Sequence, residues 1–216
     1  MYACKSLIRT QFTQNCLASL TKKNMNEDFE KIVNDLIANQ SKEELLTTDD
    51  EKSLIIFTKM FENGKKNLRL FARSLCDNNI SNNPRFIIAL SDYIDRGGSV
   101  RLLLSHYDVE EARKHALFSR LAYYQHEGKD VIMKCTNIVI VDSDDPARNQ
   151  VKVCVVDNCS YRIDPDFKSQ QAKSCFNDET FATSLIEIYD SIFQDQEDSV
   201  EISLETFFNP TENGTK

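Results

Sequence analysis

Apolar and polar positions along the chain follow two periods, and the switches between them mark the elements. From Glu27 the apolar residues Phe29, Ile32, Val33, Leu36 and Ile37 recur at helical spacing, with Asn39 near the end of the run. The polar stretch "NQSKEELLTTDD" reads as a connection. Thr48 or Asp49 can cap the next helix, which carries Leu54, Ile55, Phe57, Met60 and Phe61 and which Gly64 can end. "NLRLFA" then reads as a short strand, and "CDNNISNN" is a turn-rich loop. A helix follows over Pro84 to Arg96, with proline in its first turn and Phe86, Ile87, Leu90, Tyr93 and Ile94 on one face. Gly97 and Gly98 close it, and "SVRLLLS" is the next strand. Strand, helix and strand with short connections make a βαβ unit, which calls for a parallel pair and a right-handed crossover.

"VEEARKHALFSRLAYYQHEGK" is read as one long helix closed by Gly128. "DVIMKCTNIVIV" and "QVKVCVVD", joined by the polar "DSDDPARN", predict an antiparallel hairpin. A helix from about Asp178 to Gln194 and a final strand "SVEISL" complete the pattern. The expected fold class is α/β: a mixed, largely parallel sheet flanked by helices, with an N-terminal helical extension. The expected boundaries are residues 1–47 for that extension, 48–207 for the α/β domain and 208–216 for a disordered tail. The first 25 residues have weak periodicity and read as a helix or a loose arm.

Length and charge narrow the classes. The 216 residues suffice for one packed domain with an appendage. A net charge of −8 argues against general nucleic-acid binding, because neutralising phosphates needs clustered Lys and Arg. Seven cysteines without a CxxC pair, behind an N-terminus with no signal-peptide core, point to free thiols in a reducing cytoplasm. No apolar run approaches the roughly 18 residues that span a bilayer, so a soluble protein with no membrane partner is expected. No P-loop, Rossmann glycine fingerprint, HExxH or GxSxG occurs, and no cofactor or metal is expected. The acidic "DSDD" at 142–145 lacks the spacing and glycine of an EF-hand loop.

Three stretches together carry a resemblance. "NLRLFARSL" follows a helix, "FIIALSDYIDRGGSVRLLL" supplies helix, Arg-Gly turn and strand, and "QVKVCVVDN" places Lys152 and Asp157 in a Lys-x4-Asp register. Across about Thr48 to Leu204 the chain resembles the phospholipase D superfamily, whose signature is His-x-Lys-x4-Asp. The resemblance implies a histidine nucleophile, a phosphate-binding lysine and two half-sites meeting across a pseudo-dyad. It also implies a homodimer, with the two "QVKVCVVD" strands near its axis. Gln150 stands where the histidine belongs, and the usual Gly-Ser-x-Asn run is missing from "NCSYRIDPDFKS". A glutamine amide has no activated lone pair for covalent catalysis.

Gln150, Lys152 and Cys154 share one strand face while Val151, Val153 and Val155 share the other. Lys152 is then either a repurposed anion contact or an edge lysine that discourages aggregation. Arg73 and Ser74 end one predicted strand and His106 and Asp108 follow another, where open α/β sheets bind ligands. Asp108 is equally a helix N-cap, with Glu111 in the capping-box position. His115 and His126 read as surface or edge residues too far apart to share a metal. The expected function is a catalytically degenerate phospholipase D-like domain acting as a binding, regulatory or accessory subunit, of the kind found in bacterial defence or signalling operons. A diverged metal-independent phosphodiesterase or nuclease, with His106 as substitute nucleophile, is one alternative, and a sensor of small anionic ligands is another. The amphipathic N-terminal helices are a candidate surface for a protein partner.

Overall fold

The computed structural model describes residues 24–76, 79–140, 151–165 and 171–204. In chain order these form a helix α1 over 24–38, β1 (Leu45–Thr47), α2 (Asp50–Asn63), β2 (Asn67–Ala72), α3 (Pro84–Asp95) and β3 (Ser99–Leu104). They continue as α4 (Val109–Arg113), α5 (Ala116–His126), β4 (Val131–Thr136), β5 (Val151–Val156), β6 (Ser160–Pro165), β7 (Ala172–Cys175), α6 (Glu179–Gln194) and β8 (Ser199–Glu201). The helix starts follow local chemistry. Asp49, Asn83 and Asp178 each accept a first-turn N–H at the N-cap of α2, α3 and α6, and Pro84 begins α3 without an N–H to lose.

Among the described residues the strands form one sheet in the order β1-β7-β6-β5-β2-β3-β4-β8. Its centre, β2-β3-β4, is parallel, as the βαβ pattern requires, and the other pairings are antiparallel. One face carries Leu68, Leu70, Ala72, Val100, Leu102, Leu104, Cys154 and Val156 beneath α2, α3 and α5. The opposite face carries Phe71, Leu103, Val151, Val153 and Val155 beneath α6, which contributes Ala182, Tyr189, Ile192 and Phe193. Helices cover both faces, so the central strands are near-continuous apolar runs. Polar ties hold α6 in place: Arg69 grips Asp190 through two N–H···O bonds of 2.7 and 2.9 Å. The Tyr189 hydroxyl donates to the Arg101 carbonyl at 2.7 Å. Lys134 Nζ donates to the Phe193 carbonyl at 2.6 Å, placing a cation at the negative end of the helix.

Several expectations change. The stretch read as a connection contains β1, which lies on a sheet edge against β7. The predicted β4–β5 hairpin does not form: β4 lies between β3 and β8, and β5 between β2 and β6. The two runs meet instead where Val151 N–H donates to the Ile140 carbonyl, at 3.0 Å. The long helix after β3 is two helices, broken at Lys114 and His115. His115, expected on the surface, is buried at 6% exposure, because α5 starts there and turns the ring inward onto Phe118. Most of the apolar stripe of α1 packs on the chain's own core: Val33 is fully buried and Phe29, Leu36 and Ile37 pack against it, while Ile32 stays exposed.

Candidate functional site

The carboxyl ends of β2 and β3 and the start of β5 come together at one end of the sheet. The antiparallel register pairs Phe71 with Val153, so Lys152 follows next along β5 beside the end of β2. Beyond the strands, Ser105 N–H donates to the Ala72 carbonyl at 3.1 Å and His106 N–H to the Arg73 carbonyl at 2.8 Å. Arg73 and His106 are therefore backbone neighbours, both with exposed side chains. Ser74 is buried, and its hydroxyl accepts from Cys76 N–H at 3.1 Å. Asp108 accepts from Glu111 N–H at 2.9 Å and caps α4. Gln150 lies outside the described residues, as does the acidic 142–145 loop.

Lys152 and Asp157 occupy opposite ends of β5. Five residues at about 3.3 Å each separate them by roughly 16 Å along the strand. Asp157 sits at the amino end of β2, where its carboxylate accepts from three successive backbone N–H groups, those of Lys65 (3.0 Å), Lys66 (2.8 Å) and Asn67 (3.1 Å). Its own N–H donates to the Asn67 carbonyl at 2.7 Å. Its φ of 56° is left-handed, a conformation that Asp tolerates better than most residues. These bonds fasten the α2–β2 turn to the β5–β6 turn. The tolerance of Asp for such a turn was the signal in the sequence that this residue had a structural use.

The place of Lys152 inside an apolar run is explained by its neighbours across β5 and β6. Lys152 pairs in register with Asp164, and Cys154 with Arg162. Arg162, which pattern reasoning did not single out, is among the largest fully buried side chains, at 2% exposure. All five of its N–H groups have partners. Nε donates to Asp164 Oδ2 (2.9 Å) and one terminal nitrogen to Thr47 Oγ1 (3.0 Å) and Ser174 Oγ (3.1 Å). The other donates to Ser53 Oγ (2.8 Å) and Asp164 Oδ1. Ser53 in turn donates to the Asp49 carbonyl, at 2.8 Å. The guanidinium lies 5.2 Å from the centre of the Phe57 ring. Half-buried Lys152 thus belongs to a polar row running through the α2 side of the sheet. No hydrogen of Arg162 remains for an outside anion.

The reactive-looking groups are held quiet. Burial pushes the Cys154 thiol well above its ordinary value, which suppresses the thiolate a nucleophile needs. Burial also lowers the affinity of His115 for a proton. Cys76, Cys135, Cys154, Cys159 and Cys175 are all free thiols. Among the described residues no group of three or more His, Cys, Asp or Glu could hold a metal ion. Nor is any described helix long and apolar enough to cross a membrane.

No family model and no curated protein matches the chain. Solved structures do. TrmBL2, an archaeal chromatin protein described for a novel mode of DNA binding, overlays with a TM-score of 0.53 and 13% identity over 89% of this chain and 68% of its own. Nuc from Salmonella typhimurium, a phospholipase D family member, overlays at 0.48 with 15% identity over 74% of this chain and 99% of its own. NucT from Helicobacter pylori overlays at 0.45 with 10% identity over 74% of this chain and 98% of its own. The mixed α/β fold is therefore one that a DNA-binding protein also uses. This corrects the expectation, drawn from net charge, of no general nucleic-acid binding. A charge of −8 sums the whole surface, whereas phosphate binding needs only one suitable local field.

Proposed function

We propose that this chain is a phospholipase D-like domain that works by binding at the strand ends, in a regulatory or accessory role, rather than by cleaving phosphodiesters. One observation carries the reading: Gln150 stands where the resemblance places the histidine nucleophile. The suppressed Cys154 thiol and the structural use of Asp157, bonded to three backbone N–H groups, support it. At the binding end, Arg73 and His106 are exposed, Ser74 lines the turn beneath them, and Lys152 stands beside β2. Such a site suits a small anion or an acidic group of a partner. The test is hydrolysis of a generic phosphodiester and of single-stranded DNA in EDTA, comparing the native chain with Lys152→Ala. No turnover in either protein is the expected result. Metal-independent turnover that disappears in Lys152→Ala would overturn the reading and restore a diverged phosphodiesterase.

The overlay on TrmBL2 favours a second reading, in which the ligand is DNA. Anisotropy of a labelled duplex over a salt series decides it. An affinity that falls steeply with salt reports several phosphate contacts. No binding even at low salt leaves the small-anion reading.

A further inference from the structure

Two aromatic polar side chains in the described residues keep their hydrogen-bonding atoms buried and without any partner: both ring nitrogens of His115 and the Tyr107 hydroxyl. They flank a single ring, Phe118, with centroid distances of 5.7 Å from His115 and 5.9 Å from Tyr107. This cluster joins the segments that follow β3 and β2, the same two segments that carry His106 and Arg73. Tyr107 follows β3, His115 joins α4 to α5, and the Ala116 N–H donates to Asn82 Oδ1 in the loop after β2, at 3.3 Å.

An imidazole with neither nitrogen paired is an unusual core component, since a buried polar group left unmet keeps its desolvation penalty uncompensated. It occupies the N-cap of α5 yet makes no capping bond. The charged groups of the adjoining elements do not compensate it. On α4 and its ends, Asp108 caps the helix, Arg113 pairs with Glu110 at 2.8 Å, and Glu111 and Lys114 are exposed. On α5, Arg120 bonds Ser91 and the Tyr124 hydroxyl, and Arg73 in the loop after β2 is exposed. A proton on the ring would add a cation at the positive end of α5, inside an apolar cluster. Tyr107 stays neutral across the same range, because burial raises its proton affinity.

We propose that the α4–α5 junction is an acid-released latch beside the strand-end residues, closed while His115 is neutral and opened when the imidazole takes a proton and moves to water. What the latch uncovers depends on the strand-end reading above. The opening itself does not, and exchange measured without any ligand separates the two. Opening restores the ordinary proton affinity of an imidazole, which burial lowers in the closed state. For a histidine of ordinary pKa, lowering the pH from about 7.5 to about 5.5 then raises the open fraction by up to about tenfold.

The test is hydrogen exchange of the 109–118 amides in the full chain, corrected for the intrinsic effect of pH. We expect up to about tenfold less protection at the lower pH. Of the three histidines, His106→Asn and His126→Asn should keep that response, whereas His115→Phe and His115→Gln should both lose it. Two variants of opposite polarity guard against one that misfolds. Protection unchanged with pH in the native chain, or a pH response that persists in both His115 variants, would overturn the proposal.

Discussion

Arg162→Met is the most incisive perturbation of this fold. The native guanidinium is 2% exposed and satisfies Thr47, Ser53, Ser174 and both oxygens of Asp164. Removing it strands one carboxylate and three hydroxyls in a region that water barely reaches. Breaking one partner of a buried pair costs about 3–5 kcal/mol. Asp164 keeps 23% of its side chain in contact with solvent and can partly rehydrate, so the lower end of that range applies. Urea unfolding followed by fluorescence or circular dichroism measures it. A loss of about 3 kcal/mol, with a slope of about 3 kcal/mol per molar for a chain of this size, moves the midpoint down by about 1 M. The double variant Arg162→Met with Asp164→Leu should recover part of the loss, because it leaves no unpaired charge. A single-variant loss below about 1 kcal/mol, or no recovery in the double variant, would refute the claim that this network is a buried structural pair.

Other consequences can be checked with the same protein. Asp157→Ala should destabilise by about 2–3 kcal/mol, since it removes the acceptor of three N–H groups and places alanine in a left-handed turn. Asp157→Gly should lose less, which unfolding curves of the two variants will show. Deleting residues 1–47 should lower the melting temperature, because it removes Val33 from the core, Thr47 from Arg162 and the Glu44 acceptor of the Tyr161 hydroxyl. An unchanged melt would mean that these contacts add nothing. Native-state alkylation followed by mass spectrometry should leave Cys154 unmodified at neutral pH and label it only after unfolding. Global stability should also fall as pH drops below 6.5. The folded state resists protonating His115 while the unfolded chain accepts it, so acid favours unfolding, and urea midpoints across pH will report the slope.

The helices were legible before any coordinates because their causes are local. Apolar spacing, the Asp49 cap, Pro84 at a helix start and the run from Asp178 are all written within a few residues of each other, and α2, α3 and α6 formed there. The strand–helix–strand order from Asn67 to Leu104 likewise allowed only a parallel pair. Strand partners beyond that unit were not legible. β4 and β5 look like hairpin neighbours along the chain, yet they lie three positions apart in the sheet, β4 beside β3 and β5 beside β2. The short edge strands β1 and β7 carry too few residues to show a period. The break at His115 contradicts an unbroken helical pattern, since a few tenths of a kcal/mol of helix propensity is a small term beside burial of the His115 ring against Phe118. The same limit governs the candidate site. Sequence spacing could set Lys152 and Asp157 on one strand, but only the tertiary structure decides that three backbone N–H groups meet Asp157 and that Arg162 lies beside Lys152. Both outcomes depend on segments up to 115 residues apart in the chain, whose approach is set by the packing of the whole sheet.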